Sequence, residues 1–218
     1  MKPFGTEFCD RLAIARYSNG AWSAPSIEPL APLSLHPAAH VFHYASTCFE
    51  GFKADRWSDG KGRIFRLHDH VARMQRSAAS LRLPIPEAEL LAGMVIDVVH
   101  HNLADSPEPP ASLYLRPTLI GTLENIGAAA APSKEAILYV LASPVGDYFA
   151  GGAAALKLLV AEQPRTTEQL GSTKTGGNYA AALGPTLEAV SYTHLRAHET
   201  VLVISYSVFC LNTGGGGG

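Results

Sequence analysis

The chain has 218 residues, of which 47% are hydrophobic and 17% are charged, and its net charge is −2. This composition fits a globular protein of one large or two modest domains, and it excludes a strongly basic surface for nucleic acid or an anionic membrane. Cys9, Cys48 and Cys210 form no C-x-x-C pair, which predicts a reducing, cytoplasmic environment. We find no signal-peptide pattern and no apolar run of the roughly 18 residues that a membrane span needs.

Two hairpins are predicted at the start of the chain. The first covers residues 7–30 and turns at Asn19-Gly20, a strong signal for a two-residue hairpin loop. The second covers residues 40–67, where strand-like residues lie on both sides of a turn at Asp59-Gly60. Together they predict that the chain opens with antiparallel strands.

Two amphipathic helices follow. Val71, Met74, Ala78 and Leu81 recur at spacings of three and four, which predicts a helix over residues 68–83 that Pro84-Ile-Pro86 ends. A second helix is predicted over residues 87–101, with apolar positions Leu90, Leu91, Met94, Val95, Val98 and Val99. His68 and His70 have no further metal ligands beside them, so we interpret both as ordinary polar residues.

A strand over residues 112–120 carries polar side chains on one face. Its period of two puts Tyr114 and Arg116 on one side, where two donors can hold one carboxylate. The alternative is an arginine whose stem lies along an edge strand. Residues 121–127 and the alanine run after them predict a mobile loop, residues 136–142 a buried strand, and residues 156–161 the first strand of a second domain.

A glycine-rich segment, residues 171–182, surrounds Lys174 with small uncharged residues. A lysine in such surroundings can be desolvated, which frees its amine as a nucleophile or base and suits Schiff-base chemistry. A phosphate-binding P-loop is excluded, because that motif needs glycine directly before the lysine and here Thr173 precedes it. From this segment alone, a surface turn with a solvated lysine stays an open alternative.

The string Ser172-Thr-Lys-Thr-Gly-Gly-Asn-Tyr179 resembles the lysine segment of the branched-chain aminotransferases, which are class IV, fold-type IV enzymes. The resemblance implies an α/β (α+β) fold with a small N-terminal domain and a large β-rich domain. It also implies pyridoxal 5′-phosphate as the cofactor. Lys174 would bind that cofactor and act as base and acid at the substrate Cα, and Tyr179 would lie beside the cofactor's 3′-oxygen.

Substrate-binding residues are implied by three further strings. His43-Tyr-Ala-Ser-Thr-Cys-Phe-Glu-Gly51 resembles the family's first pocket segment, which assigns Tyr44 and Phe49 to the side-chain pocket, with Tyr44 serving the neighbouring subunit; the alternative is that both are core residues. Tyr-Leu-Arg-Pro-Thr-Leu-Ile-Gly resembles the segment that receives the side-chain carboxylate of glutamate or 2-oxoglutarate. The connector after it would line the pocket with Tyr148, and the loop over 121–127 would act as a lid over the partner's site.

The cofactor phosphate is assigned by the string Phe65-Arg-Leu-His-Asp-His-Val-Ala-Arg73. It resembles the family segment whose last arginine holds the phosphate, and a guanidinium fork suits that dianion. Without the resemblance, a solvated arginine on a helix is the preferred interpretation of Arg73.

The domain organisation follows from the extent of the resemblance. We expect a small α/β domain over 1–145, a connector over 146–155 and the start of a large cofactor-binding domain over 156–189. After Ala189 the resemblance stops, so the glutamate that pairs with the pyridine nitrogen and two phosphate-binding loops have no counterpart. Residues 190–218 resemble a translated adapter followed by a run of G, and we predict that they are not native protein. His194 and His198 lack a third ligand, so no metal site is predicted.

The implied reaction is the reversible transfer of the amino group of leucine, isoleucine or valine to 2-oxoglutarate, in a homodimer or higher homo-oligomer without nucleic-acid or membrane partners. Because cofactor contacts are missing, activity of this exact chain is doubtful. Two alternatives stay open. A D-amino-acid aminotransferase or an aminodeoxychorismate lyase would share fold and lysine, although the Tyr-Leu-Arg-Pro string argues against both. The other alternative is a non-catalytic fragment.

Overall fold

The computed structural model describes residues 4–105, 112–127, 131–146, 158–161, 170–184 and 194–197. The chain divides into two compact units. The first comprises Met1–Tyr148 with Thr173–Gly176, and the second comprises Phe149–Ser172 with Gly177–Gly218. Over the part of the chain that is described, no helix is long and apolar enough to cross a bilayer.

An eight-stranded antiparallel sheet forms the frame of the first unit. Its central strands are β7 (Ser112–Gly121) and β8 (Ala136–Val145), which pair with each other along their whole length. The remaining strands are β1 (Arg11–Ser18), β2 (Ala21–Trp22), β3 (Ser26–Pro29), β4 (Thr47–Phe49), β5 (Phe52–Arg56) and β6 (Gly62–Ile64). The order is β2-β1-β8-β7-β5-β6, with β3 on β1 and β4 on β7. The strands predicted over residues 112–120 and 136–142 are therefore confirmed as β7 and β8.

Two helices, α2 (Leu67–Ser80) and α3 (Ala88–Asn102), contribute to the main core. Their apolar residues and the inward residues of the central strands form one buried cluster, in which Met74, Val95, Leu115 and Leu138 are fully enclosed. Both helices lie where the 3.6-residue periodicity predicts them. The alternate residues of the strands, Leu12, Ile14, Ile120 and Ile137, form a smaller cluster.

The first hairpin turns where the sequence predicts it. Asn19 and Gly20 both have positive φ, at 52° and 85°, as a tight two-residue hairpin loop requires. Tyr17 pairs with Trp22 across the turn, and their rings meet edge to face with centroids 5.2 Å apart. The second hairpin, β5 with β6, is confirmed as well.

Two local details differ from the sequence-based expectation. The second predicted hairpin region begins with a short helix, α1 (His40–Tyr44), which ends at Ala45 in a left-handed conformation, φ 47°, before β4 begins. Helix α2 ends at Ser80, before the two prolines. Its last turn is closed by Leu83 N to Ala78 O and Arg82 N to Ala79 O, both 3.0 Å, with Arg82 at φ 55° where glycine is usual.

The second unit is described over three short elements. β9 (Leu158–Ala161) lies within the strand predicted at 156–161 and pairs in parallel with β10 (His194–Ala197). α4 (Gly176–Ala181) begins three residues before the predicted start at 179, and residues 185–189 lie outside the described part. His194 belongs to β10, and His198 lies outside the described part. No group of three metal-ligating residues occurs among the described residues.

Candidate active site

The segment around Lys174 is joined to strand β4 and helix α2 by backbone contacts. Phe49 N donates to Lys174 O at 3.1 Å, and Thr175 forms an antiparallel bridge with Cys48. On the other side, Lys174 N donates to Ser77 Oγ at 3.0 Å, and Ser77 is fully buried. The backbone of Lys174 is therefore bonded to β4 and α2. Its side chain is half-buried, unlike the solvated lysine of a surface turn.

The ring of Phe49 is contacted by two cationic groups. Lys174 Nζ lies 5.3 Å from the ring centroid, and Arg116 Cζ lies 4.8 Å from it. Strand alternation explains the placement, because Cys48 points into the core and Phe49 points away from it. The lysine amine and the strand arginine thus share one aromatic wall, with the cation–π attraction that such distances give.

A buried carboxylate lies next to this wall. Glu50 is 1% exposed, and both of its oxygens accept hydrogen bonds from Arg73, from Nε and from Nη2, each at 2.6 Å. His70 Nδ1 lies 3.5 Å from Glu50 Oε2. Burial by itself raises the pKa of Glu50, but hydrogen bonds from Arg73 and His70, with the charges of Arg73 and Lys174, lower the pKa below its usual value.

Tyr114 and Arg116 lie on one face of β7, as the alternation predicts, and Arg116 Nη2 donates to the Tyr114 hydroxyl at 3.0 Å. Arg116 Nε is buried and has no hydrogen-bond partner among the described residues. The pair borders a cavity of about 310 Å³. Its lining comprises Phe4, Gly5, Phe8, Phe49, Tyr114, Arg116, Thr118, Tyr139, Leu141, Ala142 and Ser143. The guanidinium and the phenol that border this cavity suit an anionic ligand.

The donor set of the first unit fits a cofactor with an aldehyde and a phosphate. In the described part of the chain, three buried side-chain atoms lack a hydrogen-bond partner, and two of them, Arg116 Nε and Thr175 Oγ1, belong to this site. The donor set comprises the Lys174 amine, the Arg73 guanidinium on α2, and the Arg116 guanidinium with the Tyr114 phenol. In that order, these groups match a carbonyl, a phosphate and a carboxylate.

Five of the residues predicted from the sequence lie in the first unit, on or next to the segment that carries Phe49: Phe49, Arg73, Tyr114, Arg116 and Lys174. Three further residues, Tyr44, Tyr179 and Tyr148, were predicted as well. Tyr44 lies on α1, where its hydroxyl donates to Ile126 O at 2.7 Å, and it does not line the cavity. Tyr179 belongs to the second unit and is 38% exposed on α4. Tyr148 lies outside the described residues.

Glu50, Phe4 and Phe8 were not singled out by the sequence analysis. Glu50 had a detectable signal, because it is the one Asp, Glu, Lys or Arg in residues 40–52, a run that is otherwise mostly buried or apolar. Phe4 had none, because its contact with Tyr114, 4.9 Å between ring centroids, joins positions 110 residues apart (114 − 4).

Comparison with known proteins identifies the family of this chain. The family model for amino-transferase class IV matches residues 47–192. The chain belongs to this family. It is 39% identical over 193 residues to the mitochondrial branched-chain-amino-acid aminotransferase of Schizosaccharomyces pombe, covering 85% of this chain and 44% of that protein. It is 40% identical over 192 residues to the cytosolic enzyme of Mus musculus, covering 86% and 49%.

Solved structures agree with this assignment. A branched-chain amino acid aminotransferase from T.th., solved with pyridoxamine 5′-phosphate, superposes with a TM-score of 0.65 at 27% identity, over 83% of this chain and 58% of that one. The enzyme of Thermobaculum terrenum has a TM-score of 0.68 over 87% and 59%, and at 19% identity it supports the fold alone. The class IV chain therefore has the predicted α/β (α+β) fold of fold-type IV aminotransferases. It spans about half the length of the curated relatives it matches.

Proposed function

We propose that this protein catalyses the reversible, pyridoxal-phosphate-dependent transfer of the amino group of leucine, isoleucine or valine to 2-oxoglutarate. The observation that carries the proposal is the shared Phe49 wall. The Lys174 amine and the Arg116 guanidinium both lie within 5.3 Å of that ring centroid. This arrangement supports the proposal, because an amine for the cofactor and a receptor for an acidic substrate would need to lie next to each other. The branched-chain aminotransferases to which the chain is similar support the choice of substrates.

The cofactor would be held by three of the chain's residues. Lys174 would bind it covalently, Arg73 would bind its phosphate, and Tyr179 would donate toward its 3′-oxygen. When bound, pyridoxal phosphate supplies an electron sink for the substrate Cα. Lys174 would move the proton at that carbon, first as base and then as acid. The similar enzyme from T.th. contains pyridoxamine 5′-phosphate, which supports this choice of cofactor.

The substrate would meet two kinds of surface. Phe49 is an apolar wall of the cavity, and Tyr44, from a neighbouring subunit, and Tyr148 would extend it around a branched side chain. Tyr114 and Arg116 would receive the side-chain carboxylate of glutamate or 2-oxoglutarate. The partnerless Nε of Arg116 supports this role, because a buried guanidinium donor without an acceptor is costly until an anion binds.

We further propose the domain assignment made from the sequence: 1–145 as the small domain, 146–155 as the connector, 156–189 as the start of the large domain and 190–218 as non-native residues. A homodimer is proposed from the role given to Tyr44. A cytoplasmic location is proposed from the cysteine content, three residues without a C-x-x-C pair, and the similar proteins include both cytosolic and mitochondrial forms.

Covalent labelling tests the cofactor assignment. The purified chain is mixed with pyridoxal phosphate, the absorbance of the lysine-bound cofactor is recorded, and borohydride then fixes a pyridoxyl group that peptide mapping locates. We expect the label on Lys174, no label in Lys174→Ala, and normal labelling in the matched surface variant Lys61→Ala. A label on other lysines, or the same spectrum from Lys174→Ala, would favour the non-catalytic alternative.

The substrate assignment is tested by the spectral change on adding an amino acid to the chain loaded with pyridoxal phosphate and not treated with borohydride. We expect leucine and glutamate to convert the spectrum of the parent chain. Arg116→Gln should lower the apparent affinity for glutamate by about 100-fold and change that for leucine little, because only glutamate has a side-chain carboxylate. An equal loss for both amino acids would contradict the role given to Arg116. Conversion by D-alanine and not by leucine would favour the D-amino-acid alternative.

A further inference from the structure

The ion pair between Glu50 and Arg73 has a geometry that fixes a plane. Nε and Nη2 of Arg73 each donate to a different oxygen of Glu50, both at 2.6 Å. Two parallel bonds prevent rotation of the guanidinium about its own stem, which a single bond would allow. The Glu50 backbone is fixed too, because its N donates to Pro117 O at 2.9 Å on strand β7. The carboxylate is therefore a rigid support for the arginine.

Stability alone is a weak reason for this pair. The carboxylate is 1% exposed, so its desolvation cost is large, and an apolar pair of similar volume is often as stable or more stable. The Arg73 side chain is 34% exposed, whereas its partner Glu50 is almost fully enclosed. A buried acid that orients a partly exposed arginine has the arrangement of a residue that supports a binding group.

Helix α2 connects this support to the lysine. His70, one turn before Arg73, is stacked on Phe52 with ring centroids 4.4 Å apart and lies 3.5 Å from the same Glu50 oxygen. Ser77, one turn after Arg73, donates to Arg73 O at 3.0 Å and accepts from Lys174 N. Arginine, carboxylate and lysine backbone are thus parts of one connected hydrogen-bond network.

We propose that Glu50 is a positioning residue for phosphate binding: it holds the Arg73 guanidinium in the plane in which that group meets the phosphate of the cofactor. The inference rests on the proposed function, which supplies pyridoxal phosphate as the ligand. It adds a residue that has no contact of its own with the phosphate. Removing the carboxylate should therefore weaken binding only of ligands that carry a phosphate.

The experiment compares two ligands that differ only in that group. Dissociation constants for pyridoxal phosphate and for pyridoxal are measured with the parent chain, Glu50→Gln, Arg73→Gln and the double variant. The control is Asp59→Asn, which disrupts an ion pair at the surface. In that pair, Nη1 and Nη2 of Arg63 donate to Oδ1 and Oδ2 of Asp59 at 3.1 and 2.8 Å. We expect Glu50→Gln to weaken pyridoxal phosphate binding by about 10-fold, the size typical of residues that orient a ligand-binding group.

Several outcomes separate positioning from a merely structural role. We expect Arg73→Gln to lose at least as much affinity as Glu50→Gln, the double variant to lose no more than Arg73→Gln, and Asp59→Asn to bind both ligands normally. Pyridoxal affinity should be unchanged in all variants. Equal losses for both ligands, additive losses in the double variant, or full pyridoxal phosphate affinity in Glu50→Gln would overturn the inference.

Inorganic phosphate gives a readout that needs no lysine. It should raise the unfolding temperature of the parent chain and of Lys174→Ala, and raise it less in Glu50→Gln and Arg73→Gln. If phosphate stabilises Lys174→Ala in this pattern while borohydride labels no lysine of the parent, the proposed function fails and the role of Glu50 stands. If Lys174 is labelled but Glu50→Gln responds like the parent, only the Glu50 inference fails.

Discussion

The ring of Tyr114 occupies the space that any side chain at Gly51 would need. A Cβ built on Gly51 would lie 1.8 Å from the Tyr114 hydroxyl oxygen and 2.7 Å from Cζ. Glycine at this position therefore allows the phenol to lie against the backbone after Glu50 and to accept a hydrogen bond from Arg116.

Gly51→Ala should displace the Tyr114 ring and break its contact with Arg116. Overpacking of this kind costs about 1–3 kcal/mol of unfolding free energy, and urea unfolding followed by tryptophan fluorescence measures it. Gly93→Ala is the control, because nothing lies within 4 Å of a Cβ there and alanine in a helix should stabilise by about 0.5–1 kcal/mol. Equal stability of Gly51→Ala and the parent would contradict the placement of Tyr114.

Gly176→Ala should disturb the lysine segment through Thr47. A Cβ at Gly176 would lie 2.5 Å from Thr47 Cγ2, whereas a Cβ at Gly177 would meet nothing within 4 Å. We expect Gly176→Ala to slow borohydride labelling of Lys174 and to lower stability by about 1–2 kcal/mol, and Gly177→Ala to do neither. Adding Thr47→Ser, which removes the Cγ2 methyl, should restore labelling. No rescue by that second change would show that the clash is not the cause.

Stability should depend on pH through Glu50. Because its pKa is lower in the folded chain than its usual value of 4.5, the carboxylate stabilises the fold above that pH, and the contribution is lost as pH falls through the lowered pKa. Near pH 7, Glu50→Gln should cost about 1–3 kcal/mol, less than a fully buried pair because Arg73 is partly exposed. The groups that face Glu50 are Arg73, His70 and Lys174.

The measurement is the difference in unfolding free energy between the parent chain and Glu50→Gln, taken from pH 7 down to about 3. The subtraction cancels the contribution of the other carboxylates to the unfolding free energy, because both chains share them. We expect the difference to shrink as the pH falls below the usual carboxyl value of 4.5. A difference that grows as the pH falls below that value would mean that the folded state favours the protonated acid.

Cys48 should resist thiol reagents in the folded chain. Burial, with a smaller effect of the Glu50 charge, raises the pKa of its thiol to about 12, and its side chain is 0% exposed. Because the thiolate is the reactive form, the peptide that contains Cys48 should stay unlabelled by iodoacetamide at pH 8 and become labelled in denaturant. Rapid labelling of the native chain would mean that β4 opens readily, together with the lysine segment bonded to it.

Elements with strong local signals can be predicted from the residues alone. Residues close together along the chain are enough to predict the Asn19-Gly20 turn, the apolar faces of α2 and α3, and the alternation that puts Tyr114 beside Arg116. The family motifs also identified Lys174 and Arg73 as candidates. Local signals suffice here because each depends on a backbone period or a turn conformation that a few neighbouring residues decide.

Contacts between groups that are far apart along the chain are seen only in the folded molecule. Glu50 and Arg73 are 23 residues apart, and Ser77 and Lys174 are 97 apart, so no local period connects either pair. Helix α1 and the left-handed conformation of Arg82, after the end of α2, likewise depend on how the surrounding chain packs. The physical reason is that a buried charge or donor must find its partner wherever the packed chain brings one, and that pairing is set by three-dimensional packing and not by sequence spacing.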